Sequence, residues 1–241
     1  MLVSLTREKF EQLMPLTATA TQYKFCWGKL QDFLRRLSVS FVGGAAALLL
    51  RAILGPDFFG VILLFAICAV LYWLWAPVLW ATLRNREMRK IPYSGFWQGE
   101  VLDAYVSEEL IGKEETVNKR GELVIVENRE RRLNLEVGDE SGFTTQLQVP
   151  LKREHQGIRP GLIAAMVVLS YEPDLADIVK VSDIYIPSRN IWVSDYPYLR
   201  RDLFVEVARR LGSRRNREKL ERPSRRSSRK GSRKRRVVEE D

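Results

Sequence analysis

Two long apolar runs, separated by a three-residue break, constrain this chain more than any other feature. They occupy Ser38 to Trp80 and are interrupted only by Gly55-Pro56-Asp57. A helix of about 20 apolar residues crosses a bilayer, and both runs approach or exceed that length. We therefore predict a helical transmembrane hairpin over residues 37–83. The alternative, a pair of buried core helices in a soluble protein, is disfavoured because both runs reach spanning length.

The distribution of Lys and Arg around the two runs predicts their orientation. Basic residues precede the first run and follow the second, whereas the break between the runs carries Asp57 and has only Arg51 near it. Positive charge marks the cytoplasmic ends of membrane helices, so both termini are expected in the cytoplasm or stroma. The residues expected at the membrane interface are Arg35, Arg36, Arg51, Trp75, Trp80, Arg84 and Arg86.

Small residues in the first run indicate where the two helices would approach each other. Small side chains at a spacing of three or four residues permit close helix packing, and here they are Ser40, Gly43, Gly44 and Ala47. Tyr72 and Trp73 are expected to pack against the first helix or another protein, and Pro77 is expected to kink the second helix.

After the apolar runs, the period of the hydrophobic pattern changes from helical to two. Short alternating segments over residues 92–211, with turn residues between them and no long crossover helix, predict a small antiparallel domain. We expect an OB-like or SH3-like barrel, closed by an amphipathic helix over residues 198–211. Residues 1–36 are expected to be partly helical; their amphipathic part either lies at the membrane interface or packs on the soluble domain.

The C-terminal segment, residues 212–241, differs in composition from the rest of the chain. The net charge of +9 comes from residues 209–241, which hold 15 basic and 5 acidic residues, against 24 and 25 in residues 1–208. With so few apolar residues the segment is predicted to be disordered. It is a candidate contact for anionic lipid or RNA, or simply a solvated tail, through Arg225, Arg226, Arg229, Lys230, Arg233, Lys234, Arg235 and Arg236.

No catalytic or metal-binding pattern is visible in the sequence. Two cysteines, Cys26 and Cys68, and the single His155 are scattered, and no phosphate-binding or zinc-protease motif occurs. His155 is expected to be an exposed loop residue. We therefore expect no enzyme activity and no cofactor.

Three stretches carry a resemblance to a known family. They are Tyr93–Val101 (YSGFWQGEV), Arg120–Glu130 (RGELVIVENRE) and Trp192–Asp202 (WVSDYPYLRRD). Together they resemble an uncharacterised two-span membrane protein family of cyanobacteria and plastids, often labelled phosphate ABC transporter permease. The resemblance covers most of residues 1–211 and implies a thylakoid or plasma membrane location. It supplies no catalytic residues.

These observations favour an integral membrane interaction or assembly factor that presents a small β domain at the cytoplasmic or stromal surface. Its expected partners are membrane lipid and other membrane proteins, with the oligomeric state left open. The alternative is an accessory or permease-type subunit of a membrane transporter. That alternative depends on the small-residue face of the first helix and on the family label.

Overall fold

The computed structural model describes residues 1–117 and 123–212. Contacts divide the chain into two units, Met1–Arg200 and Arg201–Asp241, and the first unit contains both the apolar helices and the sheet. The helices are α1 (Arg7–Leu13), α2 (Ala20–Trp27), α3 (Leu30–Leu54), α4 (Phe59–Val70), α5 (Tyr72–Arg89) and α6 (201–212), and a short 3₁₀ helix, Pro56–Phe58, leads into α4.

Among the described residues, α3 is long and apolar enough to cross a membrane. Its most apolar 18-residue window has a mean hydropathy of 1.9, yet only 11% of that window is buried. The core helix of a soluble protein would be mostly covered by the rest of the chain. The exposed apolar surface of α3 therefore matches a helix that is surrounded by lipid.

The second apolar run forms two helices rather than one straight helix. Pro56–Val70 and Tyr72–Arg89 meet at an angle of 75°. The chain bends at Leu71, between the two helices, whereas α5 continues through the buried Pro77, whose predicted kink stays a prediction. Taken together the two pieces could form one further span, by length and composition.

An antiparallel sheet of eight strands forms the rest of the first unit, which confirms the predicted antiparallel β domain. The strands are β1 (Leu2–Leu5), β2 (Tyr93–Val117), β3 (Leu123–Gly138), β4 (Thr144–Pro150), β5 (Ile163–Ser170), β6 (Lys180–Val181), β7 (Ile184–Ile186) and β8 (Ile191–Val193). Their order is β4-β3-β2-β5-β7-β8, with β1 beside β2 and β6 beside β5. Closure into an OB-like or SH3-like barrel is not confirmed, since the described pairings leave β4 and β8 at opposite ends.

The core of the sheet is built from alternate residues of neighbouring strands. Val101, Leu135 and Met166 are at most 1% exposed and lie in one apolar cluster with Trp97. The Trp97 indole N–H donates to an Asp139 carboxylate oxygen at 2.8 Å, so the polar edge of this large ring is satisfied at the end of β3.

The N-terminal segment is part of the same unit. Its first residues form β1, with Leu2 opposite Trp97 and Leu5 opposite Ser94 in β2. In α1, Phe10 and Leu13 are buried, as is Met14 just after the helix. The two ends of the helical region, residues 7–89, are therefore joined by main-chain hydrogen bonds between strands.

The closing helix begins later than the sequence predicted. Asp183, itself 1% exposed, accepts hydrogen bonds from the backbone N–H groups of Tyr198 and Leu199 at 3.0 and 3.3 Å. These bonds hold the two residues outside the helix, and α6 starts at residue 201. Within α6, Phe204 and Ala208 are buried, as expected for an amphipathic helix.

The single histidine is buried, so the prediction that His155 is an exposed loop residue was wrong. It is 2% exposed, in the 3₁₀ helix Arg153–Gly157, where its Nδ1 accepts the Lys152 backbone N–H at 3.3 Å. Burial is the main cause that lowers the pKa of His155, and the positive charge of Lys152 adds to it. The folded protein therefore holds this imidazole neutral.

Acidification should destabilise the fold through His155. In the unfolded chain the imidazole takes up a proton as the pH falls through about 6.5, whereas in the folded chain its pKa is lower. The unfolded state then binds more protons, so stability falls between neutral pH and the folded pKa. The thermal midpoint of the detergent-solubilised chain should be lower at pH 5.5 than at pH 7.5. His155→Gln should remove most of this difference, and an equal pH effect in that variant would contradict the assignment.

Candidate functional site: the helical elbow and the β arm

The bend between α4 and α5, which we call the elbow, is held by side chains that bond to the main chain. The Trp73 backbone N–H donates to the Ser40 hydroxyl at 3.1 Å, and the Trp75 indole N–H donates to the Cys68 carbonyl at 2.9 Å. A helix break leaves main-chain groups without intrahelical partners, and in lipid water does not replace them. Ser40 and Trp75 therefore make this bend compatible with an apolar environment.

The small-residue face of α3 lies against α4 of the same chain. Ser40 and Ala47 are buried, and a methyl group added at Gly43 would lie 2.8 Å from the Cβ of Ala69. One added at Gly44 would lie 3.3 Å from the Val70 side chain. The four residues expected to pack helices are thus used inside the chain, and the first of them also fixes the elbow.

Six of the seven residues expected at the membrane interface are exposed. Trp75 and Trp80 are 39% and 53% exposed, and the same exposed class holds Arg35, Arg51, Arg84 and Arg86. Arg51 stacks over Phe59 at 5.4 Å and Arg84 over Tyr196 at 5.0 Å.

Arg36 is placed differently from the other interface candidates. Its side chain is mostly buried, and its guanidinium donates to the carbonyls of Cys26, at 2.7 Å, and of Trp27. These carbonyls end α2 and have no partner within that helix. Gly28, with a φ of +70°, then turns the chain into α3. Arg36 therefore acts as a C-terminal cap for α2 rather than as a side chain that reaches the lipid headgroups.

A buried pair of amides, the clasp, joins α2 and α5 to the segment that follows β8. Gln22 and Asn85 are both fully buried and exchange two hydrogen bonds, of 3.1 and 2.9 Å. The Gln22 amide also donates to the carbonyls of Pro197 and Tyr198, at 2.9 and 3.2 Å. The clasp fixes the base of the helices on the sheet domain.

A small polar cleft lies beside the clasp. It has a volume of about 230 Å³, and Arg84, Asp183 and Tyr196 line it. Burial raises the pKa of the Tyr196 phenol, and burial also raises the pKa of the nearby Cys26 thiol although Arg84 opposes it. Both groups stay protonated near neutral pH. This arrangement suits packing, since a reactive thiol needs its thiolate form.

A two-stranded ribbon, which we call the arm, extends beyond the rest of the sheet. It comprises residues 108–117 of β2 and 123–131 of β3. β5 pairs with β2 only as far as Glu100, and β4 pairs with β3 only from Arg132 onward. At the base of the arm the Leu151 backbone N–H donates to the Arg131 carbonyl at 2.9 Å. Beyond Arg131, within the described residues, the two strands of the arm pair only with each other, over about 24 Å at 3.4 Å per residue.

Charged and apolar side chains share the surface of the arm. Arg131 pairs with Glu108 across the strands, at 3.4 Å, and Arg129 with Glu127 along β3, at 2.9 Å. Large apolar side chains nevertheless remain open to solvent: Ile111, Leu123 and Ile125 are 54%, 75% and 61% exposed. An isolated two-stranded ribbon is marginally stable, and open strand edges readily pair with other chains.

The basic tail and metal binding are the two remaining subjects of the sequence predictions. The eight basic tail residues from Arg225 to Arg236 lie outside the described residues. Residues 1–117 and 123–212 contain no group of three or more His, Cys, Asp or Glu side chains that could hold a metal ion.

Sequence reasoning missed the clasp, the elbow and the arm. Gln22 and Asn85 lie in helices among other polar residues, where nothing marks them as buried. The arm did leave a signal, because the sequence predicts strands over Leu123–Val126 and 132–137. The structure joins them through the polar residues 127–131 into the single strand β3.

Removal of one half of the clasp should destabilise the chain. Asn85→Ala leaves the buried Gln22 amide with fewer partners, which costs about 1–3 kcal/mol. Gln22→Ala should cost a similar amount. Because the two side chains bond each other, the double variant should lose less than the sum, with a coupling of about 0.5–3 kcal/mol.

Denaturant unfolding of the full chain in detergent, followed by tryptophan fluorescence, would measure these differences. Glu87→Ala, an exposed position on the same helix, is the matched control and should stay within about 0.5 kcal/mol of the wild type. Strictly additive losses would show that the two amides act independently.

Comparison with known proteins gives one match. No curated protein and no solved structure was found to match the chain. A family described as "Family of unknown function (DUF8619)" matches residues 3–219, which include the helices, the elbow, the clasp and the arm. The chain therefore belongs to this family of unknown function, DUF8619.

Proposed function

We propose that this protein is an integral membrane interaction or assembly factor: a helical anchor holds the sheet domain at the membrane surface, and the arm binds other membrane proteins. The exposed arm is the observation that carries the proposal. Its apolar side chains and open edges are typical of a surface that another protein covers. The anchor and the clasp would keep that surface at a fixed height above the bilayer.

The strand pairing supports an even number of membrane crossings. β1 precedes α3 and β2 follows α5, yet the two strands pair over Leu2–Leu5. Strands of one sheet lie on one side of a membrane, so a single crossing is incompatible with this pair. We therefore propose a hairpin in which α3 crosses in one direction and the 3₁₀ helix with α4 returns.

The cytoplasmic or stromal side is proposed for the sheet because basic residues flank the outer ends of the hairpin. The resemblance to the cyanobacterial and plastid family supports a thylakoid or plasma membrane location.

A transporter subunit is less well supported. Its main support was a small-residue face that could join partner helices, and α4 occupies that face. The groove of about 740 Å³ between α3 and α4 is lined almost entirely by apolar side chains, such as Phe41, Leu48 and Ile62. Its polar lining residues are Ser40, whose hydroxyl accepts a hydrogen bond from the Trp73 N–H, and Arg51, in the last turn of α3. A phosphate path requires polar groups near the middle of the membrane, and these two residues do not form one.

Substitution at the arm should abolish the binding of partner proteins without unfolding the chain. Leu123→Ser with Ile125→Ser removes exposed apolar area at the end of the arm. Tyr171→Ser is the matched control, since Tyr171 is also 61% exposed but lies outside the arm.

Tagged full-length chains would be purified from native membranes in mild detergent, and co-purifying membrane proteins would be quantified. We expect the arm variant to lose more than about 90% of partners that the wild type and the control retain, with thermal midpoints unchanged. Equal recovery with all three chains would remove the arm from the proposal. If the wild-type chain is recovered without any partner protein in several detergents, that result would count against the proposed function itself.

Cysteine labelling in intact cells should place the sheet and the hairpin turn on opposite sides. In a background without Cys26 and Cys68, an impermeant maleimide should label Asp57→Cys, in the turn. It should leave Ser107→Cys, in the sheet domain, unlabelled until the membrane is opened. The reverse pattern would place the sheet outside, and labelling of both positions in intact cells would contradict the hairpin.

A further inference from the structure

We infer that α5 binds the lipid surface as an in-plane helix in the near leaflet, so that only the segment before the elbow returns through the membrane. This inference rests on the proposed anchor, and it assigns a lipid-binding surface to a helix that the sequence reads as part of a second span. Four observations carry it: the length of the returning segment, the angle at the elbow, the exposed face of α5 and the side chains along that face.

The returning segment is too short for the whole hydrocarbon layer. Pro56–Phe58 has 3 residues in a 3₁₀ helix and Phe59–Val70 has 12 in an α-helix. At about 2.0 and 1.5 Å per residue they span roughly 24 Å, whereas the hydrocarbon core is about 30 Å thick. The elbow is therefore expected about 6 Å below the near headgroups, within the 5–10 Å depth at which interfacial helices lie.

The elbow then directs α5 along the membrane. If α4 follows the membrane normal, a bend of 75° leaves α5 about 15° from the membrane plane. The side-chain hydrogen bonds from Ser40 and Trp75 satisfy the main chain at the elbow itself, so the bend needs no water. A bend built in this way is stable at that depth.

The two faces of α5 meet different surroundings. Ala81, Asn85 and Met88 are at most 3% exposed and form the face that the protein covers. On the opposite face, Trp75, Leu79 and Leu83 follow one another at intervals of four residues and are 39%, 39% and 41% exposed. This stripe is apolar and carries no charge before Arg86, the next residue along the same face.

Lipid is the occupant that this stripe fits. The stripe follows exposed apolar residues at the end of the anchor, Val70 and Leu71, and it starts at a tryptophan, a residue enriched at the level of the headgroups. It ends at Arg86, an exposed cation suited to anionic headgroups. An apolar stripe opposite a protein-covered face is the pattern of an interfacial helix.

The depth of labels along the stripe tests the inference. In full-length chains without Cys26 and Cys68, single cysteines at Leu79, Leu83 and Arg86 would carry a nitroxide label. The protein would be placed in nanodiscs of phosphatidylglycerol and phosphatidylcholine. Accessibility to oxygen and to a water-soluble nickel chelate reports the depth of each label. Trp75 is left intact because it holds the elbow.

From residue 79 to residue 86 an α-helix rises about 10.5 Å. If α5 lies in the plane, the three labels should differ by only about 3 Å in depth, because the bend reduces the vertical rise to about a quarter. A depth change of about 10 Å between Leu79 and Arg86 would mean that α5 continues the span, and the inference would be overturned. Low accessibility to both reagents would also overturn it, since another protein would then cover the stripe.

Labels at Phe41 and Leu48 on α3 provide the matched control. They are also seven residues apart and are 79% and 69% exposed. Along a spanning helix they should differ by about 10 Å in depth. If the α3 labels differ by about 10 Å in depth and the α5 labels also differ steeply in depth, the proposed anchor is supported and this inference fails. If the α3 labels are exposed to water, the anchor itself fails.

Discussion

The hydrogen bonds between β1 and β2 are the constraint on which the rest of this architecture depends. They join residues that come just before the helical region to residues that come just after it. Every arrangement of the helices must therefore return the chain from the end of α5 to β1, so that β2 can pair with it. The clasp and the bond from Arg89 to the Met14 carbonyl, at 2.9 Å, repeat the same closure with side chains. A helical hairpin is the simplest structure that satisfies this condition.

The elbow follows from the same condition. A straight continuation of α4 would carry the chain away from α2, whereas the bend at Leu71 brings α5 against it, so that Asn85 reaches Gln22. Edge-to-face aromatic contacts support this corner: the Trp73 ring lies 5.9 Å from Phe33 and 6.2 Å from Trp27. The sequence predicts different positions for these aromatic residues: Trp73 against the first helix or another protein, and Trp75 and Trp80 at the membrane interface. Trp73 packs inside the protein, while Trp75 and Trp80 remain exposed.

How much of this structure the sequence predicts depends on the range of the interaction. Apolar length and alternation are local properties, and they predicted α3 and the antiparallel strands. The bend at Leu71 depends on Ser40, whose hydroxyl accepts a hydrogen bond from the backbone N–H of Trp73, 33 residues away. No local pattern reports such a bond, and Pro77 attracted the prediction instead. His155 and Asn85 are polar residues whose burial is decided by distant segments, so their surroundings could not be read from their neighbours in sequence.

The arm shows a different failure. Its strands were broken in the prediction because charged residues interrupt the apolar alternation, although paired charges such as Arg131 and Glu108 are compatible with an exposed ribbon. Composition alone does not distinguish a loop from a strand whose two faces are both in solvent. The arm was therefore the least predictable part of the candidate site. The charged side chains that suit its exposed position are the same ones that interrupt the apolar alternation of a strand.

The clasp also imposes an order on biogenesis. Gln22 is separated by 175 residues from Pro197, whose carbonyl it binds. At about 5–20 residues per second, a ribosome needs roughly 10–35 s to synthesise that interval. During this time the apolar helices have emerged, but the amide of Gln22 lacks part of its final set of acceptors. If the apolar helices insert during synthesis, as proposed above, insertion precedes the last hydrogen bonds of the clasp, and a nascent chain that stalls before Pro197 would hold these helices without those bonds.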